Sequence, residues 1–338
     1  MPLHGSESER DRVTLTHVAQ RAGVSLTTAS HCFSHRRPVA AATRERVWRA
    51  AAELGYTHVG ARSAVGVLVR PPEAIPGFVF GTASFAQMAG AVAISCLGRG
   101  YTTVTATDLD DLLGRAPRLD GVVVLYPRHS DPDVQSLVRH DMPAVSFDPD
   151  PANNEFRWWV GVNYVSSIRT LLTHLRLGGA RRIAAIVGQT DNMYRRAILA
   201  TYTTAVRSWG QTPVIRVADN DLGEAAGAEA AWNLLRSDDA PDAVITSSSV
   251  FAKGSLTAAL ELRLRVPDEF MVATVTDGPV AEFAEVPITG LRLNVNESAL
   301  RLVDLLQTRI RGGGPPASNP VVGLELIKRA ATLRSANS

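Results

Sequence analysis

The sequence has few of the residues on which catalytic, metal-binding and disulfide-stabilised proteins depend. Its two cysteines, Cys32 and Cys96, form no metal-ligand spacing and no disulfide framework, which indicates a reducing compartment. The histidines are scattered, and the chain has no phosphate-binding loop motif, no GxSxG nucleophile turn and no HExxH zinc motif. We therefore predict a protein that is not an enzyme, with no catalytic residue, no metal and no cofactor.

Long apolar runs are also missing. No stretch approaches the roughly 18 apolar residues that a membrane span needs, and the polar first twelve residues lack the apolar segment of a signal peptide. We expect a cytoplasmic protein with no membrane partner. Hydrophobic residues nevertheless make up 45% of the 338 residues, which is enough for large cores in two or three domains.

Charge is distributed unevenly along the chain. Residues 1–70 hold ten arginines and no lysine against five acidic residues, a net charge of +5, while the whole chain carries +2 and the remainder therefore −3. A basic head on a mildly acidic body suits a partner with a phosphate backbone, because each phosphate contact releases condensed counterions. A solvated basic face would give the same pattern.

The stretch 18–33 has the pattern of a helix-turn-helix, with two short helical segments separated by Gly23. Glycine suits this turn because it tolerates a positive φ. Ser25 stands where a side-chain oxygen can cap the second helix. The outer face of that helix carries short groups that can approach a base edge or a phosphate. A helical hairpin inside a larger core is the alternative interpretation.

A third helix is predicted from about Ala41 to Leu54, where Val47, Ala50, Ala51 and Leu54 recur at helical spacing. Trp48 can anchor a small core there. Three short helices would make a minimal DNA-binding headpiece.

From Val65 onward the pattern changes to short apolar strands alternating with helices, which predicts parallel sheets covered on both faces. The predicted strands are 65–69, 101–106, 120–126, 143–147, 182–188, 243–246 and 271–275, and the predicted helices lie near 82–98, 131–140, 164–178, 194–208, 223–236 and 251–263. These are too many units for one open sheet, so we expect an α/β core of two lobes.

Particular stretches resemble the LacI/GalR family of bacterial transcription regulators. They are AGVS at 22–25, TRERV at 43–47 and ELGY at 53–56, and in the core HLRLGGARRIAAIVG at 174–188, the segment 243–278 and GLELIKRAAT at 323–332. The resemblance implies a three-helix headpiece followed by a two-lobed core like that of periplasmic binding proteins. It implies three crossings between the lobes, which we place near 150–160, 286–292 and 316–321.

In this family the second helix lies in the major groove of DNA. The resemblance therefore implies that Leu26, Thr27 and His31 face bases. Side chains near phosphates or the groove wall would be Thr14, Ser25, Thr28 and Ser30, together with Arg36 of the basic loop and Arg62 of the hinge.

The sequence departs from the family at two positions that matter for DNA binding. His31 stands where an arginine is usual, so a strong bidentate contact with guanine is lost or weakened. Ala64 replaces the leucine that the family wedges into the minor groove, and the linker before the first strand is nearly absent. A small side chain unstacks bases poorly, so we do not expect the usual hinge mechanism.

The resemblance also implies an effector site between the lobes. Asp148 matches a carboxylate that contacts sugar hydroxyls, and Ser248 lies where the family has an asparagine-aspartate pair. Thr276 and Asp277 fall in the matching turn, and Arg196 lies close to Ile198, which occupies the place of the family's effector-clamping arginine. The site is therefore altered, and ordinary loop residues would be the alternative interpretation.

The predicted division of the chain is a disordered tail, a DNA-binding domain, a shortened linker and the two-lobed core. Its bounds are 1–12, 13–56, 57–64 and 65–338, with lobe 1 at about 65–155 and 290–318 and lobe 2 at about 156–289 and 319–332.

We predict a transcription regulator, and more specifically a repressor. Its partners would be a palindromic double-stranded operator, a small-molecule effector such as a sugar, and its own copies in a homodimer or homotetramer. A ligand-binding module that has weakened or lost DNA binding is the main alternative, and an enzyme on the same scaffold is the other.

Overall fold

The computed structural model describes residues 13–34, 39–54, 56, 63–69, 83–116 and 119–334. The predicted tail 1–12, both Arg36 and Arg62, and positions 57–62 of the predicted linker lie outside the described residues. None of the described helices is long and apolar enough to cross a membrane.

The headpiece consists of three helices: α1 (Leu15–Ala22), α2 (Leu26–Ser34) and α3 (Ala41–Leu54). Gly23 joins α1 to α2 with a φ of +66°, in the left-handed region that glycine adopts without strain. The helices close over a buried cluster that includes Val18, Ala29 and Val47. Trp48 is half-buried and packs edge-on against Phe33, which borders this cluster, with ring centroids 4.9 Å apart.

The core begins at β1 and alternates strands with helices as predicted. In chain order its elements are β1 (Ala64–Val69), α4 (Ala83–Leu97), β2 (Thr102–Ala106), α5 (Leu109–Arg115), β3 (Gly121–Leu125), α6 (Pro132–Arg139), β4 (Ala144–Phe147), β5 (Trp159–Val162), α7 (Tyr164–Leu177), β6 (Ile183–Gly188), α8 (Met193–Ser208), β7 (Val214–Ala218), α9 (Gly223–Leu235), β8 (Ala243–Thr246), α10 (Ser249–Glu261), β9 (Met271–Thr274), α11 (Pro279–Glu282), β10 (Thr289–Leu293), α12 (Val295–Ile310), β11 (Val321–Val322) and β12 (Leu324–Ile327).

Two six-stranded sheets define the two lobes. The sheet of lobe 1 has the order β11-β5-β4-β3-β1-β2, and the sheet of lobe 2 has the order β12-β10-β9-β8-β6-β7. The pairings are parallel, except that β12 runs antiparallel to β10. Each sheet is covered on both faces by buried apolar clusters. This is expected because the helices that connect parallel strands pack against both faces of the sheet.

The chain crosses between the lobes a few residues later than the sequence indicated. It leaves lobe 1 after β5, returns after β10 and crosses again between β11 and β12. The first and third predicted crossings were early because β5 and β11 pair with each other, Val321 opposite Gly161, and complete the edge of the lobe 1 sheet. Strand pairing across distant parts of the chain is not visible in local sequence.

The end of the predicted linker belongs to the sheet. Ala64 is the first residue of β1, where it lies opposite Thr102, and its amide donates to Asp120 Oδ2 at 2.9 Å. The carbonyl of the preceding residue, Ser63, accepts from the Thr102 amide at 2.9 Å. Positions 63 and 64 are therefore fixed to lobe 1, and the assignment of both to a hinge is wrong.

Candidate functional site

The predicted reading surface is the exposed side of α2. Ser25 caps the helix, since its Oγ accepts from the Thr28 amide at 3.1 Å and lies 2.8 Å from the Thr28 hydroxyl. Leu26 is 51% exposed, Thr27 is exposed, and Ser30 is half-buried. The cap stabilises the first turn of α2, whose residues Leu26 and Thr27 face solvent.

Two other predicted DNA-binding residues, Thr14 and His31, have polar atoms that face the headpiece itself. Thr14 is the exposed residue before α1, and its amide donates to His17 Nδ1 at 3.2 Å. His31 is half-buried, and its Nδ1 is enclosed without a hydrogen-bond partner in the described part of the chain. The enclosed Nδ1 therefore does not face the outer surface of α2 on which base contacts are predicted.

A cavity of about 440 Å³ lies between the lobes at the carboxyl ends of their strands. This is the usual ligand position in open parallel sheets. At a second place the lobes touch directly, where Arg128 of lobe 1 forms an isolated bridge with Asn192 of lobe 2 and the His129 amide donates to the Asp191 carbonyl at 2.8 Å. The cleft is therefore closed over part of its length.

Asp148, predicted to contact the effector, is not among the described residues that line the cavity; it is 2% exposed, at a φ of +68°. Its Oδ2 accepts from the Tyr164 hydroxyl at 2.5 Å, a hydrogen bond that joins the two lobes. Burial raises the pKa of Asp148 to about 7, although the Tyr164 hydroxyl and the Val162 amide work in the opposite direction. Its Oδ1 has no partner among the described residues. The carboxyl therefore lies at a contact between the lobes, and its protonation changes near neutral pH.

Three of the predicted effector residues line the cavity: Ser248, Thr276 and Asp277. Arg196 does not, because it forms an exposed ion pair with Asp191 at 2.7 Å. Ile198, at the position of the family's clamping arginine, is fully buried in the lobe 2 core. No arginine from α8 thus lines the described wall of the cavity.

Asp277 is bound from within lobe 2. Its side chain is 1% exposed and forms ion pairs with Arg329 at 2.7 Å and Arg292 at 2.9 Å. Burial works to raise the pKa of Asp277, but the hydrogen bonds and charge of Arg329, together with Arg292, hold the pKa below its usual range. The carboxylate is therefore ionised and already paired, which reduces its capacity to bind a ligand.

Aromatic residues were not among the predicted effector set, yet four of them line the cavity. Phe85 and Tyr126 come from lobe 1, and Tyr164 and Tyr194 from lobe 2. Three of them could have been found from sequence, because Tyr126 ends a predicted strand and Tyr164 and Tyr194 begin predicted helices. Phe85 lies inside a predicted helix, where nothing in the local pattern marks it as a lining residue.

Comparison with known families supports the same two-part organisation. Residues 14–58 match the family described as bacterial regulatory proteins, lacI family, and residues 172–332 match the periplasmic binding protein-like domain. The fold is that of a helix-turn-helix transcription regulator whose core resembles periplasmic binding proteins. The chain thus combines a lacI family headpiece with a periplasmic binding protein-like core, the organisation of the LacI/GalR family of bacterial transcription regulators.

Relatives match over nearly the whole chain. The HTH-type transcriptional repressor PurR of Edwardsiella ictaluri is 27% identical over 335 residues, covering 94% of this chain and 96% of that protein. The PurR repressor of Erwinia tasmaniensis is 29% identical over 279 residues, covering 77% of this chain and 79% of that protein. Both are transcription regulators.

Solved structures show the same fold. A complex of the transcriptional regulator CelR with cellobiose has a TM-score of 0.71 at 27% identity, covering 95% of this chain and all of that one. A lac repressor dimer bound to operator and the anti-inducer ONPF has a TM-score of 0.69 at 22% identity, covering 96% and 100% of the two chains. The second likeness concerns the fold alone.

Proposed function

We propose that this protein is a cytoplasmic repressor that binds a palindromic operator as a homodimer, and that a small molecule in the interlobe cavity changes its affinity for DNA. The observation that carries this proposal is the outward face of α2, where a capped first turn presents Leu26 and Thr27 on a closed three-helix headpiece. One short recognition helix makes too few contacts for operator-level specificity, so two copies are required.

The relatives support the regulatory part of this proposal. Two of them are named repressors, one solved neighbour holds cellobiose, and another is a dimer on its operator. By analogy, the cavity of this chain receives an effector whose binding alters the relative position of the lobes and hence of the headpieces. We also infer that the protein has no catalytic activity, since these relatives act by binding DNA.

Binding to the DNA that flanks the gene tests the proposal. Gel-shift titration and footprinting of the full chain are expected to reveal two protected half-sites related by two-fold symmetry, with an affinity that falls steeply as salt rises. Leu26→Ala in the reading surface should weaken specific binding. The matched control is Leu177→Ala, at a leucine 85% exposed on lobe 2, which should leave it unchanged.

Protection of neither half-site, or equal binding to operator and random DNA, would refute the DNA-binding assignment. Ligand binding by a chain that showed no DNA affinity would instead favour the alternative, a ligand-binding module. His31, Ala64 and the shortened linker are the reasons for that alternative, because each departs from what the family resemblance implies for DNA binding.

A further inference from the structure

Charged groups meet on the lobe 2 side of the interlobe cavity, around the buried carboxylate of Asp277. Arg329 donates to both of its oxygens, from Nη1 to Oδ1 at 2.7 Å and from Nη2 to Oδ2 at 3.1 Å. Arg292 donates from Nε to Oδ2 at 2.9 Å. Two guanidinium groups therefore share one carboxylate. Because the bidentate pair with Arg329 already balances the charge of Asp277, the positive charge of Arg292 is left over.

The unused part of Arg292 lies at the cavity wall. Its side chain is 48% exposed, and it is the one cation among the described residues that line the cavity. Only its Nε is hydrogen-bonded in the described part of the chain, which leaves both Nη groups without an acceptor. Glu325 lies opposite Arg292 in the antiparallel pair of β10 with β12, but no ion pair joins these two described side chains. The free edge of a guanidinium matches the geometry of a carboxylate.

A second charge at the wall, of opposite sign, also lacks a close partner. Glu282 ends helix α11, lines the cavity and is as exposed as Arg292. The one cation within ion-pair distance of it in the described ranges is Arg329, with Oε2 3.9 Å from Nη2, which is too long for a hydrogen bond. Arg329 is held instead by Asp277 and by the Ile288 carbonyl, to which it donates at 2.8 Å. The Glu282 carboxylate can therefore accept hydrogen bonds from a ligand.

Arg292 and Glu282 belong to one cluster, since each contacts a member of the Asp277–Arg329 pair. A ligand in the cavity therefore meets a positive and a negative group near one another. A ligand with a single charge would pair with one of them and leave the other partly desolvated without a partner, which opposes binding. A ligand that carries both charges would pair with both.

Neutral polar groups of the wall suit such a polar ligand. Asn192 is buried, and its Oδ1 caps α8 by accepting from the Arg195 amide at 2.9 Å, while its Nδ2 has no acceptor among the described residues. The buried Ser249 hydroxyl of lobe 2 and the Gln87 side chain of lobe 1 line the cavity and likewise have no hydrogen-bond partner in the described ranges. Both lobes can thus donate hydrogen bonds to one ligand.

We propose that the effector of this cavity is a small zwitterion, a molecule with a carboxylate and an amino group, in which Arg292 binds the carboxylate and Glu282 binds the ammonium. This inference rests on the proposed function, in which the cavity is the effector site. Amino acids and longer amino-carboxylates carry the required pair of charges, and a cavity of about 440 Å³ has room for molecules of this size. A neutral sugar would leave both charges without a counter-charge.

Thermal-shift screening of the full-length protein, followed by calorimetry, tests the ligand class. The probes are amino acids and longer amino-carboxylates, simple carboxylates, simple amines, and neutral sugars, and saturable binding is expected from the first group only. The best binder is then compared with its N-acetyl derivative, which lacks the ammonium, and with its primary amide, which lacks the carboxylate. Each derivative should bind at least about tenfold more weakly.

Variants assign each charge of the ligand to its partner. Glu282→Gln should bind the best ligand and its N-acetyl derivative equally, and Arg292→Gln should bind the best ligand and its amide equally. The matched controls are Glu297→Gln and Arg301→Gln, in an exposed pair on α12 outside the described lining of the cavity, which should keep full discrimination. Glu282 is exposed and makes no hydrogen bond in the described part of the chain, so its variant decides the question even if Arg292→Gln, which removes a partner of Asp277, fails to fold.

A neutral sugar or a singly charged compound that binds as tightly as the best zwitterion would overturn the inference and leave the regulatory proposal intact. Absence of any zwitterion that binds, or full discrimination retained by Glu282→Gln, would also overturn it. Repeating the operator titration with the best zwitterion separates the two proposals. A zwitterion that binds in the cavity without changing operator affinity would uphold the ligand class and refute regulation through this site.

Discussion

Replacing Asp148 by asparagine tests how the buried interlobe carboxyl responds to pH. The pKa of this group rises from an ordinary 3.8 to about 7 because the charged form loses its hydration on burial. The native state therefore binds more protons than the unfolded chain between about pH 4 and pH 7. The free energy of unfolding contributed by the group is fully present below pH 4 and is lost as pH rises toward 7.

The size of this effect follows from the shift. Each pKa unit corresponds to about 1.4 kcal/mol, so the difference between 3.8 and about 7 amounts to about 4 kcal/mol at most. Asparagine has nearly the same shape, keeps an oxygen that can accept from the Tyr164 hydroxyl, and does not titrate. The Asp148→Asn protein should thus equal the wild type at pH 4 and be more stable by up to about 4 kcal/mol at pH 8.

Urea unfolding of both proteins at intervals between pH 4 and pH 8 measures the difference. The control is Asp238→Asn, at an exposed aspartate on lobe 2, which should show no such divergence. A second comparison is Tyr164→Phe, which removes the donor to the carboxylate and should be less stable than the wild type at pH 8. A difference between Asp148→Asn and wild type that stayed constant with pH, or grew toward acid, would refute the argument.

Four further changes test other contacts. Ser25→Ala removes the cap of α2 and should cost about 1 kcal/mol of headpiece stability, measured by circular dichroism on heating; an unchanged midpoint would contradict the role of the cap. Asp277→Asn leaves two arginines without a full charge partner at a buried site and should cost about 3 kcal/mol in urea unfolding, whereas Arg196→Ala, in an exposed pair, should cost less than about 1; equal losses would be inconsistent with this difference in burial. Thr27→Ala should reduce discrimination at one operator base pair by about 1 to 3 kcal/mol, and an equal loss on random DNA would mean that the side chain touches only the backbone. Ala64→Leu should leave operator bending unchanged in a circular-permutation gel assay because this residue is held in β1; greater bending would show that the position still reaches DNA.

Local sequence was sufficient for much of the core. The strand predicted at 243–246 coincides with β8, and the helix predicted near 194–208 begins one residue late. Such elements are visible because a short apolar run or a helical period is complete within one segment. The helix α12 was missed, although Asn294 caps it by accepting from the Glu297 amide at 3.1 Å. That Asn-x-x-Glu spacing is a usable start signal.

The predicted effector set shows the limit of residue matching. Ser248 and Asp277 reach the cavity, but the sequence did not show that their polar groups are used inside lobe 2. Arg196 was included because it lies two residues before Ile198, yet a helix turns those two side chains to different faces. Ile198 faces the core and Arg196 faces solvent.

The sequence by itself determined the class of this protein, because a helix-turn-helix with its turn glycine and capping serine is encoded within some twenty consecutive residues, and alternating strands and helices indicate the core. Only the tertiary structure decided where the linker ends and which side chains line the cavity. Ala64 is fixed by pairing with Thr102, and the cavity is lined by side chains from distant segments, such as Phe85 and Tyr194. Contacts of this kind depend on how the lobes fold and meet, which no local pattern contains.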